Sequence, residues 1–121
     1  FAYYRVTQRR GKRFSAKNAY LDPVRRRPNL HVETFAMAER ILIEVGRAVG
    51  VAYDHKGDKR QVRAAREVIL AAGAVQSPQL LELSGIGQGA RLQSLGVDVM
   101  AESPGVGENL QDHYISRLTW G

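Results

Sequence analysis

Residues 68–87 constrain the fold more than any other stretch of the chain. Val68, Ile69, Leu70, Ala71 and Ala72 form a short apolar run that stops at Gly73. The run does not alternate, so Glu67–Ala72 reads as a strand buried on both faces. Gly73 has no Cβ, which lets the backbone turn or another group approach closely. Ser77 followed by Pro78 is a helix-start signal: a side-chain oxygen at the cap, then a residue whose missing N–H is no loss. Leu80, Leu81 and Leu83 supply the apolar face of a short helix, and Gly85 is placed as its left-handed stop. Strand, glycine turn and capped helix can offer backbone N–H groups to a phosphate. The same arrangement is also an ordinary packing unit of α/β folds. Spacing alone does not choose between the two.

The 121 residues suffice for one domain with a modest core. An apolar content of 44% and a charged content of 25% are ordinary for a globular chain. Cysteine is absent, which excludes disulfides and thiolate metal sites and leaves the redox compartment open. No run approaches the roughly 18 apolar residues of a membrane span, and the N-terminus shows no signal-peptide pattern. The first residue is Phe, which suggests an internal piece of a longer chain. Charge is unevenly placed. Residues 1–27 hold nine Lys or Arg against Asp22 alone, a balance of +8 within a total of +6. With Tyr3, Tyr4, Phe14 and Tyr20 among those charges, the arm has three readings: a nucleic-acid patch, a solvated face, or a surface that pairs with acidic residues in a missing part of the protein. No recognised nucleic-acid module accompanies the charge, so nucleic-acid binding is the weaker reading.

Along the chain, Tyr3–Thr7 reads as a strand and Arg9–Arg13 as a basic turn about Gly11. Ser15 can cap a short helix through Ala16, Ala19, Tyr20 and Leu21, which Pro23 stops or bends. Leu30, Val32, Thr34 and Ala36 alternate with His31, Glu33 and Phe35, the period of a half-buried strand. Ile41–Val45, a tight turn at Gly46-Arg47 and Ala48–Tyr53 read as a hairpin. A turn centred on Gly57 leads to a third strand at Gln61–Ala65, which completes a meander. Ala90, Leu92 and Leu95 predict a second short helix ended by Gly96. A strand at Val97–Ala101, a rigid loop at Pro104–Gly107 and a last strand at Tyr114–Trp120 complete the reading.

Most candidate chemistry fails on spacing. Gly85-Ile86-Gly87-Gln88-Gly89-Ala90 fits the letters of the dinucleotide fingerprint, but it follows a helix where the fingerprint must follow a strand. Ser77 and Ser84 lack the flanking glycines of a nucleophile elbow. His31, His55 and His113 are too scattered for a metal site. Asp112-His113 suggests a base with its orienter, yet sequence neighbours usually point apart. Asn109 and Asp112 are better read as satisfying backbone groups in a tight loop. No catalytic residue and no metal ligand is expected.

Two motifs carry a resemblance. Gly73-Ala74-Val75-Gln76-Ser77-Pro78, Leu80-Leu81 and Ser84-Gly85-Ile86-Gly87 resemble the second signature of the glucose–methanol–choline oxidoreductases. Pro104-Gly105-Val106-Gly107-Glu108-Asn109-Leu110-Gln111-Asp112-His113 resembles the loop that comes after it in that family. Gly11–Leu21, Asn29-Leu30, Arg40–Leu42 and Arg47–Val51 match segments in family order, so the resemblance covers nearly the whole chain. It is strongest to choline-dehydrogenase-like enzymes.

That resemblance implies an internal fragment of a two-domain flavoenzyme. The fold is α/β, α+β within the fragment, forming part of a Rossmann-like FAD-binding domain with an antiparallel β-meander. Residues 1–28 would return from the substrate domain, 29–113 would form the second half of the FAD domain, and 114–121 would start a substrate-domain strand. The family oxidises a CH–OH group of choline or another alcohol: hydride passes to the flavin while a histidine takes the hydroxyl proton. That histidine and the phosphate-binding glycine motif belong to segments outside these residues, so His113 is not the catalytic one. The cofactor is FAD, with Ala38 meeting the adenine through its backbone. Ala72 and Gly73 would lie near the ADP half, and Asn109 and Asp112 in a loop close to the cofactor. The fragment alone would be inactive and would self-associate through apolar surface. Within the family, a hydroxynitrile lyase is the alternative chemistry. From another class, the alternative is a basic nucleic-acid-binding module.

Overall fold

A computed structural model describes residues 7–114. Residues 3–6 and 115–120 of the two expected terminal strands lie outside that range. The chain divides into two compact units, Phe1–Thr34 and Phe35–Gly121.

In the first unit, β1 (Gln8–Arg9) and β2 (Lys12–Arg13) form an antiparallel hairpin. Its two turn residues, Arg10 and Gly11, have φ of 51° and 74°. Positive φ at both central positions gives the twist that joins antiparallel strands through two residues. The Arg9 guanidinium lies 5.4 Å from the centre of the Phe14 ring. Ser15 does cap the next segment: Asn18 N–H donates to Ser15 Oγ at 3.4 Å, and Oγ donates to Asn18 Oδ1 at 2.7 Å. The expected helix is replaced by a single π turn at Lys17–Leu21 and a 3₁₀ turn at Asp22–Val24, where Pro23 prevents α continuation. Lys17 Nζ donates to Asp22 Oδ1 at 2.7 Å and holds that carboxyl below the usual carboxylate range. The alternation at Leu30–Phe35 does not become a strand. These residues have no ladder partner among the described residues, and Phe35 turns the chain with φ of 57°.

The second unit opens with the meander. β3 (Ala36–Glu44), β4 (Arg47–His55) and β5 (Asp58–Arg63) pair antiparallel in the order β3-β4-β5. Both connections repeat the device of the first hairpin. Val45-Gly46 has φ of 49° and 72°, and Lys56-Gly57 has 57° and 95°. The first turn therefore sits one residue earlier than Gly46-Arg47, with Glu44 opposite Arg47. Asp54 Oδ1 accepts from Gly57 N–H at 2.8 Å; this bond first, then Lys59, lowers the carboxyl pKa. At the other end of the sheet, Arg63 grips Glu44 through two bonds of 2.6 and 2.9 Å. Register shifts leave Glu39 as an extra residue in β3, between Ala38 and Arg40, and Val49 as one in β4, opposite the Leu42–Ile43 step. Gly50 in β4 allows β5 to come close: a Cβ there would lie 2.3 Å from Val62 O.

The buried strand expected at Glu67–Ala72 is not formed. The segment has no ladder partner among the described residues, and Ile69 is 80% exposed. An apolar run acquires a strand's hydrogen bonds only where another strand lies beside it, and none does among the described residues. Helix α1 (Gly73–Leu83) comes next, and it starts at Gly73 rather than at Ser77-Pro78. Ser77 Oγ still serves the start of the helix, accepting Ala72 N–H at 3.0 Å from inside it. Pro78 stands in the second turn, where it removes the donor that would reach the Ala74 carbonyl. Gly85, with φ of 82°, ends the helix as expected.

β6 (Ile86–Gly87) then pairs parallel with β7 (Ala101–Glu102), and α2 (Gly89–Ser94) crosses between them. The strand expected at Val97–Ala101 is reduced to β7. Gly96 ends α2 with φ of 75°. Among the described residues the buried apolar side chains are Ile41, Ala52, Leu80 and Leu92, so this unit packs where α1 lies against β3 and where α2 meets β6.

Candidate functional site

Helix α1 organises the chemistry of the second unit. At its start, the first-turn N–H groups have no intrahelical acceptors and are available to a ligand. Gly73 has φ of 89°, and a Cβ built there would meet nothing within 4 Å. Backbone can therefore be approached closely at this point, as the absence of a side chain at Gly73 suggests. Ala72 precedes it, with its N–H held by Ser77 Oγ.

At the other end of α1, Ser84 is buried. Its Oγ donates to Leu80 C=O at 2.5 Å and accepts Ile41 N–H at 2.8 Å. One hydroxyl thus closes the helix and satisfies one backbone N–H of β3, the strand that carries Ala38. Sequence reasoning considers Ser84 as a nucleophile and as a letter of the family signature, not as a cap. Its position just before the helix-ending glycine is the available signal for a capping role.

Two clefts flank α1. One, of about 500 Å³, lies between the edge of β3 and the end of α1, lined by Ile41, Ile43, Ser84 and Met100 among others. The second, of about 430 Å³, runs along α1 beneath the 105–110 loop, lined by Val75, Pro78, Leu81, Val106 and Leu110. Ala38, Ala72, Gly73, Asn109 and Asp112 line neither cleft. Ala38 stands exposed at the β3 bulge, opposite Tyr53. Asn109 has φ of 56°, a conformation that suits Asn in a tight loop.

Asp112 and His113 do meet, contrary to the expectation that they point apart. His113 Nδ1 lies 3.3 Å from Asp112 Oδ1, and the same oxygen accepts His113 N–H at 2.8 Å. Both contacts fall on one carboxylate oxygen. Both side chains are largely exposed, so the contact is a weak one. His31 pairs with Glu33 at 3.0 Å and stands in solvent. Among the described residues, no group of three or more metal-ligating side chains is gathered.

The Gly85–Ala90 pattern follows helix α1, as expected, and the two-residue β6 and the start of α2 lie within it. It still offers no anion site. Glu102 Oε2 accepts Gly89 N–H at 3.0 Å, so a carboxylate already fills the start of α2.

The comparisons with known proteins agree with one another. The family model described as GMC oxidoreductase matches residues 1–115. Oxygen-dependent choline dehydrogenase 1 of Chromohalobacter salexigens is 50% identical over 109 residues, covering 90% of this chain and 20% of that protein. The mitochondrial choline dehydrogenase of Homo sapiens is 49% identical over 113 residues, covering 93% and 19%. Among solved structures, an FAD-dependent oxidoreductase from Chaetomium thermophilum superposes with a TM-score of 0.74 at 40% identity, covering 79% of this chain and 17% of that one. Pyridoxine 4-oxidase from Mesorbium loti gives 0.73 at 33% identity, covering 80% and 19%. The chain spans about a fifth of the length of the curated relatives it matches.

Proposed function

This chain belongs to the GMC oxidoreductase family, and we propose that it forms the second half of the FAD-binding domain of an enzyme that oxidises an alcohol, choline or a similar small molecule. The observation that carries this reading is the match over residues 1–115 together with choline dehydrogenases about half identical over the same stretch. The match runs through the basic arm, which argues that the arm is part of the family domain and not an appended nucleic-acid module.

The residues present fit the group. Gly73 leaves open space where a side chain would stand, next to the free N–H groups of the α1 start, so a phosphate-bearing ligand can approach the backbone there. Ala38 lies on an edge strand, whose outward backbone groups are open to an adenine. Ala72 and Gly73 would then hold the ADP half, with Asn109 and Asp112 closing the cofactor side from the loop. When bound, FAD supplies the acceptor for the hydride leaving the alcohol carbon. The residues of this chain bind and orient; the histidine that takes the hydroxyl proton belongs to another part of the enzyme.

The test is an anaerobic absorbance spectrum of the full-length protein with choline and simple alcohols added in turn. Bleaching of an oxidised-flavin band by one of them is the expected result, and it names the substrate class. A colourless protein that cannot be reconstituted with FAD overturns the reading.

A further inference from the structure

The last turn of α1 carries Glu82, whose side chain is only 19% exposed. Its Oε1 lies 3.2 Å from Arg91 Nη1 on α2 and makes no hydrogen bond among the described residues. The same Arg91 nitrogen stands 3.6 Å from Glu108 Oε1. Two glycines close on the Glu82 side chain. A Cβ at Gly107 would lie 3.0 Å from Oε1, and one at Gly87 would lie 3.3 Å from Cγ. A single guanidinium therefore reaches, from α2, both α1 and the loop residue directly before Asn109.

We propose that Arg91 is a positioning residue for cofactor binding, holding the 104–112 loop against α1 by bridging Glu82 and Glu108. The proposal rests on the reading that this loop borders FAD. Its physical basis is the unequal exposure of the two carboxylates. Glu82 is mostly shut away from water, so losing its counter-ion leaves an uncompensated charge in a poorly solvated place. Glu108 is half exposed and can return to solvent at little cost. Relief comes through the loop, because Gly107 is the group packed on the carboxylate and Glu108 is the tether beside it. Water then reaches Glu82 when residues 105–108 lift away, and Asn109 and Asp112 lift with them.

The experiment uses the full-length protein, with FAD affinity read by flavin fluorescence and loop docking read by proteolysis within residues 104–112 in the absence of FAD. Arg91→Ala is expected to raise the FAD dissociation constant about tenfold, a mid-range coupling between sites, and to speed loop cleavage. Adding Glu82→Gln to that variant removes the stranded charge and is expected to restore most of both. Should Arg91→Ala not fold, Glu108→Gln keeps the Glu82 pair and cuts the tether alone, with a smaller rise in the same constant. Either variant matching wild type in FAD affinity and cleavage, or losing melting temperature alone, overturns the proposal. A wild-type protein that takes up no FAD overturns the underlying reading and the proposal with it.

Discussion

The meander at residues 36–63 and the runs on either side of it, 30–35 and 67–72, are written in similar letters and end differently. Both are rich in β-branched and apolar residues. The meander is a complete three-stranded ladder, whereas the flanking runs are unladdered, with Phe35 and Ile69 about four-fifths exposed. The difference lies in where the partner strand comes from. Each meander strand finds its neighbour two residues away across a tight turn, so pairing costs little loop entropy. The flanking runs have no such neighbour in sequence, and composition cannot supply one. Strand propensity becomes a strand only where a hydrogen-bonding partner stands beside it.

The strongest way to break the contrast is to spoil the local pairing itself. Gly50→Ala places a methyl group 2.3 Å from Val62 O, between the two strands that pair most regularly. A loss of about 3 kcal/mol is expected, read as a lowered urea midpoint together with reduced strand signal in far-ultraviolet circular dichroism. A near-neutral result would mean that β5 is held elsewhere.

Next comes the link between the meander and α1. Ser84→Ala leaves the buried Ile41 N–H without an acceptor, and a loss of about 2 kcal/mol is expected from the penalty for an unmade buried bond. Hydrogen exchange at Ile41 is the specific measurement, since its amide would become the fastest-exchanging of the central β3 residues. Unchanged protection there would show that another group takes over the acceptor role.

The smallest effect has the opposite sign. Val45 holds φ of 49° at a fully exposed turn position, a conformation that β-branched residues resist. Val45→Asn keeps the turn and removes that strain, with an expected gain of about 1 kcal/mol. The urea midpoint should rise with an unchanged slope. A fall would mean that the Val side chain contributes something its exposure conceals.

Legibility in the sequence divides along the same line. Gly11, Gly46 and Gly57 mark the three tight turns, and Gly85 and Gly96 mark the two helix ends, because a left-handed backbone position needs the same residue whatever surrounds it. The start of α1 is misleading for a related reason. Ser77-Pro78 carries a local start signal, but Ser77 reaches back to Ala72 from within a longer helix that Gly73 begins. The pairing of Asp112 with His113 is hidden because it depends on the local backbone path, which two adjacent letters do not fix. The Glu82–Arg91–Glu108 bridge is hidden because its members come from three separate segments.

By itself the sequence determined the turns, the helix stops, the meander and the family, since each depends on contacts or letters close together along the chain. The tertiary structure alone decided which apolar runs became strands, that a buried serine joins α1 to β3, and which carboxylate Arg91 must neutralise. Those outcomes depend on groups far apart in sequence meeting in space, where hydrogen-bond satisfaction and burial of charge are settled by the neighbours and not by the residue.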